Sequence, residues 1–162
     1  MGCLVLSGIL KLVFKFTSFL TLFAITTTIS FLIFHYQLYS PTLKIIVPNG
    51  YKGTINLVLS NVEENILVVD SNGVGYLNEW TFEKTYTKPI VEQVNGKRVD
   101  TELVWYNPST FWAYGKSCCL HGRKIESKSF EILPENSLKG EWYDAKNLID
   151  LVDEKLVIFS KR

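Results

Sequence analysis

The first 60 residues contain no aspartate or glutamate, and Lys11 and Lys15 are the only charged side chains before residue 43. A stretch so poor in charge is not the surface of a soluble domain. All 16 acidic residues lie after residue 60, and 15 of the 17 basic ones lie after residue 40. A near-neutral, mixed surface lacks the basic face that nucleic acid requires, so no nucleic-acid partner is expected. Histidine is scarce, with only His35 and His121, and cysteine is limited to Cys3, Cys118 and Cys119. The catalytic signatures G-x-S-x-G and H-E-x-x-H and the dinucleotide fingerprint are all missing. "GKS" at 115–117 has Thr110 where a phosphate loop needs its first glycine. "DSNG" at 70–73 has too few carboxylates for a calcium loop, and Asn107-Pro108-Ser109 fails as a glycosylation site because of its proline. Acid–base work would fall to carboxylates such as Asp70, Glu79, Asp100 and Glu102, among which no pair stands out. The reading is therefore non-catalytic, with no cofactor.

What the chain has in abundance is a long apolar run. From Phe16 to Tyr36 it reads "FTSFLTLFAITTTISFLIFHY", without formal charge, proline or glycine. About 20 such residues span the hydrocarbon core of a bilayer, where a helix alone satisfies its own backbone. Residues 1–40 are read as a membrane anchor with a single helix over about 16–36. Its lipid-facing side chains are Phe16, Phe19, Leu20, Leu22, Phe23, Ile25, Ile29, Phe31, Leu32, Ile33 and Phe34. The run exceeds the 7–15 residues of a signal-peptide core, and no A-x-A site follows it, so an uncleaved anchor is expected. Cys3 precedes the run, which excludes a lipoprotein signal, and Leu6 stands where myristoylation wants serine or threonine. Lys11 and Lys15 on the near side point to N-in topology with the domain outside, and the cytoplasmic alternative stays open. Ser7, Lys11, Lys15, Ser18, Thr21 and Thr28 fall within an arc of roughly 140° on a continuous helix. That stripe suits self-association of the anchor, or else each hydroxyl bonds its own i−4 carbonyl and the lysines snorkel.

Residues 41–162 read as mainly β. "LKIIVP" (43–48), "TINLVLS" (54–60), "NILVVD" (65–70), "VGYLNEWTF" (74–82), "IVEQV" (90–94), "RVDTELVWY" (98–106), "TFWAYG" (110–115) and "SFEIL" (129–133) are strand-like. Asn-Gly at 49–50, 72–73 and 95–96 marks tight hairpins. The pattern predicts an antiparallel β-sandwich. Leu148, Leu151, Val152 and Leu156 share one helical face, predicting a short C-terminal helix over about 144–156 with Asp144 as N-cap.

Two places carry candidate chemistry. Cys118, Cys119 and His121 are soft and borderline ligands in one short stretch, and suit zinc, copper or thiol chemistry. Against this, the cysteines are adjacent rather than spaced as C-x₂₋₄-C, and the domain has no fourth Cys or His. Their plain reading is one buried and one exposed thiol on a strand. Trp105, Trp112 and Tyr114, with Tyr106 and Phe111, could stack on a carbohydrate or dock a peptide, or could pack in the core. The small-molecule ligand itself is not named by any motif.

"VPNGYKGTINLVLSN" and "VVDSNGVGYLNEWTF" together resemble a family of uncharacterised bacterial envelope domains, often lipoproteins. Pro48, Gly50, Tyr51 and Gly53 match its strand entrance. Asn72 and Gly73 before Val74, Tyr76 and Leu77 match its second motif. The D-x-N-G hairpin is also similar to transthyretin-like (prealbumin-like) sandwich modules. The resemblance covers about residues 43–82. It implies an exported, membrane-tethered β-domain with no established catalytic residues. This chain departs from the pattern in having an apparent transmembrane anchor and no lipobox cysteine.

Overall fold

The structure, a computed structural model, describes residues 2–99, 102–104, 111–133 and 147–159. Contacts divide the chain into two units, Met1–Tyr39 and Ser40–Arg162.

In the first unit the anticipated single helix is two. Helix α1 spans Gly2–Val13 and α2 spans Phe19–Leu38. Phe16 lies in the reversal between them, not on the spanning helix. At 1.5 Å per residue, the 20 residues of α2 reach about 30 Å, and the 12 of α1 only about 18 Å. Among the described residues only α2 is long and apolar enough to cross a membrane, a property a signal sequence shares. The break has a local cause. The Lys11 ammonium donates to the carbonyl of Lys15 at 2.9 Å and to that of Thr17, which satisfies backbone acceptors that a continuous helix would have used. The reversal brings hydroxyls together: Ser7 Oγ lies 2.7 Å from Thr26 Oγ1, and both residues are buried. Cys3 Sγ approaches Ser30 Oγ at 3.6 Å. Of the polar stripe, Ser7 and Thr28 donate to the carbonyls four residues earlier, as the local alternative supposes for each hydroxyl, and Thr26 outside the stripe does the same. Thr26, outside the predicted arc, is buried together with Ser7, which is inside it, because the helix that sets the arc does not run through residues 14–18.

Among the described residues the second unit holds two sheets, and the expected all-antiparallel order is not what forms. β1 (Lys44–Val47) pairs in parallel with β4 (Ile90–Gln93). The larger sheet runs β3 (Val74–Asn78), β2 (Gly53–Ser60), β7 (Arg123–Ile132), β5 (Leu103–Val104), and β6 (Ala113–Leu120) also pairs with β7. β2 and β3 are parallel, whereas β7 is antiparallel to β2, β5 and β6. Asn49-Gly50 therefore does not close a β1–β2 hairpin. The residues on either side of β1 explain why: Ile46 exchanges bonds with Leu67 and Val69 at 2.9 Å each, and Val94 N–H donates to the Val47 carbonyl. The stretch 65–70 accordingly runs as a bridge between sheets rather than as a full strand. Asn95-Gly96 does close its hairpin, with Gln93 N–H on the Lys97 carbonyl at 2.8 Å. A hairpin the sequence reading passed over joins β6 to β7, where His121 and Gly122 adopt φ of 49° and 75°.

The strand expected over 74–82 stops at Asn78, whose side chain accepts from Thr81 N–H at 2.9 Å and starts helix α3 (Glu79–Lys84). The C-terminal helix is also corrected. Within 147–159 there is one 3₁₀ turn, Leu148–Asp150, followed by turns and short bridges to Ser60 and Ile125; residues 144–146 lie outside the described residues. Asn147 and Asp153 side chains accept backbone N–H groups here, the competition that makes such residues poor helix interiors.

The main core includes Ile45, Val47, Ile55, Leu57, Leu77, Val91, Phe130 and Ile132, contributed by both sheets. A second cluster lies on the other side of β2 and β7: Val58, Val74, Tyr76, Leu120 and Ile125 under Leu148 and Val157.

Candidate functional site: a polar cleft on the outer sheet face

Strand alternation fixes what this outer face carries. Ile55 and Phe130 point to the main core, so their neighbours Asn56 and Ser129, paired across β2 and β7, point away from it. Val58 faces Ser127 in the same register, and Gly115 of β6 faces Ser127 from the other side. Towards Val58 and Ile125 the face is apolar and covered by residues 148–157. Towards Asn56 and Ser129 it becomes polar and opens into a cleft of about 380 Å³. Its floor carries Thr54, Asn56, Ser117, Ser127 and Ser129. Tyr51, Lys52, Ser71 and Asn72 line one wall, and Leu148 and Leu151 the other.

The first wall joins the two glycine-bearing motifs. Tyr51 donates its hydroxyl to the Thr54 carbonyl at 2.7 Å. Gly73, at φ 73°, lies directly beneath: a Cβ there would be 2.1 Å from the Tyr51 hydroxyl oxygen and 2.4 Å from the Thr54 carbonyl. Gly73 is thus required twice, by its backbone angle and by the closeness of its neighbours. Asp70 holds the turn, accepting the Asn72 N–H on its side chain at 2.8 Å and the Gly73 N–H on its carbonyl at 3.1 Å. Burial, with the Asp70 charge adding to it, pushes the Tyr51 phenol up to about 12. It therefore stays neutral and donating at physiological pH. Lys52 is ion-paired with Glu102 and also donates to the Leu133 carbonyl at 3.3 Å.

The residues singled out from sequence lie elsewhere. Trp112 is 3% exposed, edge-on to Phe130 at 5.4 Å, with its indole N–H on the Thr87 carbonyl at 2.9 Å. Its face is not available to stack on a ligand. Tyr114 is exposed beside Phe82, and its hydroxyl is bonded to Glu126; partial desolvation of that hydroxyl first, and then Glu126, raise its pKa to about 12. Trp105 and Tyr106 lie outside the described residues. Cys118 is disulfide-bonded rather than a thiolate, and Cys3 is a free thiol. The side chain of Cys119 lies outside what is described. His121 is exposed and pairs with Glu154 at 2.9 Å. Among the described residues no three His, Cys, Asp or Glu side chains gather as a metal site. Of the four carboxylates, Asp70 caps a turn, Glu102 pairs with Lys52, Glu79 opens α3 and Asp100 lies outside the described residues. Sequence reasoning missed the cleft because its floor is built from single serines and an asparagine far apart in the chain, each of which reads alone as solvated.

No family model matches the chain, and no curated protein sequence matches it. A crystal structure described as "Putative Lipoprotein from Bacillus anthracis" is similar over 67% of this chain and 80% of that one, at 11% identity and a TM-score of 0.33. A likeness so shallow carries no argument about fold or function.

Proposed function

We propose that the protein is a membrane-anchored, non-catalytic β-domain of the cell envelope that acts by binding, with α2 as its anchor and the domain on the extracytoplasmic side. The observation that carries this reading is α2 itself: a 20-residue, predominantly apolar helix without Asp, Glu, Lys or Arg, with Leu20, Ile29, Phe31, Leu32, Ile33 and Phe34 exposed on its surface. The disulfide at Cys118 supports the extracytoplasmic side, since disulfides persist in oxidising compartments. The cleft supports binding: hydroxyls and amides converge there on a concave surface, the arrangement that orients a ligand. The antiparallel sandwich of the transthyretin-like type enters this reading only as two sheets sharing one core.

The test is a pair of reporters fused after Arg162, one active only outside the cytoplasm and one only inside, combined with membrane fractionation. The outside reporter should be active and the full-length chain should pellet with membranes. A soluble product shortened after residue 40 would show cleavage and remove the anchor from the proposal. Activity of the inside reporter would reverse the topology.

A further inference from the structure

The cleft floor gathers polar groups that bond no protein atom among the described residues. Ser127 is only 4% exposed, and among the described residues no hydrogen bond is made by its hydroxyl or by the side chains of Asn56, Ser117 and Ser129. These groups face the cleft and are solvated there, and an occupant that both donates and accepts can replace that solvent bond for bond. Two further features narrow what that occupant is. Lys52 is the one formally charged residue lining the cleft among the described residues, and its charge is already met by Glu102, while Tyr51 stays protonated. Among the described lining residues no net charge is left to hold an ion. The backbone of the two central strands is also spent. β2 bonds β7 on one edge and β3 on the other, with Asn56 N–H on the Gly73 carbonyl at 2.8 Å, and β7 bonds β2 on one edge and β6 on the other. An extended peptide, which binds sheets through main-chain ladders, finds no open edge on β2 or β7. Recognition must come from side chains that both donate and accept, set between the Tyr51 ring and the apolar wall of Leu148 and Leu151.

We infer that the cleft binds a neutral, polyhydroxylated ligand, a saccharide unit, with its hydroxyls on Asn56, Ser127 and Ser129 and its C–H face against Leu148 and Leu151. The volume of about 380 Å³ lies at the small end of the range of ligand sites, about 300–1,000 Å³. This rests on the binding-module reading and assigns its ligand class; it does not use the aromatic residues that suggested carbohydrate from sequence.

The test uses the full chain in a detergent without a sugar head group. Isothermal titration measures three neutral probes: maltotriose, tri-N-acetylchitotriose and a blocked trialanine peptide. At least one saccharide should bind at millimolar concentration or better. Ser127→Ala should weaken it about threefold to tenfold, the loss of one hydrogen bond. Gly115→Val, which grows into the floor from 3.7 Å beside Ser127 Oγ, should abolish it. Circular dichroism and the thermal midpoint of each variant check the fold; if Gly115→Val unfolds, Ser127→Ala decides. Binding of neither saccharide overturns the inference, as does saccharide binding that both variants leave unchanged. If the peptide alone binds, and Gly115→Val removes it, the saccharide class is overturned while the binding-module reading stands. If no probe binds and the inside reporter is active, both fall.

Discussion

Two stretches of one sheet face carry opposite chemistry. Val58 and Ile125 are fully buried under the C-terminal segment, whereas Asn56, Ser127 and Ser129, two to four positions along the same strands, floor an open cleft. The strands, their hydrogen bonds and the main core beneath are continuous across both stretches, so the difference lies only in the outward side chains and in what lies over them. Burial of apolar area makes the first stretch a source of stability. The second adds nothing comparable, because its hydroxyls and amide face the cleft rather than an apolar cover. That contrast is what the substitutions below are chosen to break.

The largest effect should fall beneath both stretches. Phe130 is fully buried against Phe111 and Trp112, and Phe130→Ala should cost about 3–5 kcal/mol. Ile125→Ala, at the covered end, should cost about 2–5 kcal/mol. Urea unfolding of the full chain in detergent measures both. A cost under about 1 kcal/mol for Ile125→Ala would mean that the C-terminal segment does not seal that end, and the contrast would be lost.

Next comes the wall of the cleft. Gly73→Ala sets a methyl within 2.1 Å of the Tyr51 hydroxyl oxygen at φ 73°, and should cost about 2–4 kcal/mol from overpacking and the left-handed backbone together. The same unfolding assay reads it. A neutral result would show that the Tyr51 and Gly73 loops are not held together, and the cleft would lose that wall.

These particular residues show what could be read in advance. The apolar run of α2 was legible because its length and lack of charge are properties of consecutive residues. Asn95-Gly96 was legible because both strands of its hairpin are local. The parallel pairing of β1 with β4 was not, since it joins residues some 46 positions apart and depends on the stretch 66–69 occupying the other edge of β1. The break after Val13 involves no proline or glycine and comes from one lysine bonding two carbonyls. The N-cap at Asn78 was readable, with Glu79 just behind it, but the apolar residues on either side suggested a longer strand. The cleft draws on residues 51–56, 71–72, 115–129 and 148–151, and nothing local marks them as neighbours. The glycines of the two motifs were visible as turn formers; that Tyr51 of one covers Gly73 of the other is tertiary information.

The smallest effect concerns protons, and it compares one tyrosine at each end of the face. Tyr51 in the cleft wall is pushed up to about 12, first by burial and then by Asp70. Tyr76, at the covered end, is also raised, chiefly by burial, although its hydroxyl accepts the Asp153 N–H at 2.7 Å. A phenol whose pKa is higher folded than unfolded binds its proton more tightly in the native state. Its contribution is therefore fully present below the unfolded value of about 10 and is lost as pH rises through the folded one. The thermal midpoint of the full chain should hold steady up to about pH 10 and then fall towards about pH 12. Tyr51→Phe should flatten part of that fall, because no phenol is left to ionise beside Asp70. Tyr76→Phe should flatten the rest, less the part contributed by Tyr114, which is raised to about 12 by burial and Glu126. If Tyr51→Phe leaves the alkaline profile unchanged, Tyr51 is more open to water than its bond to Thr54 implies, and the cleft is shallower on that side than its walls require.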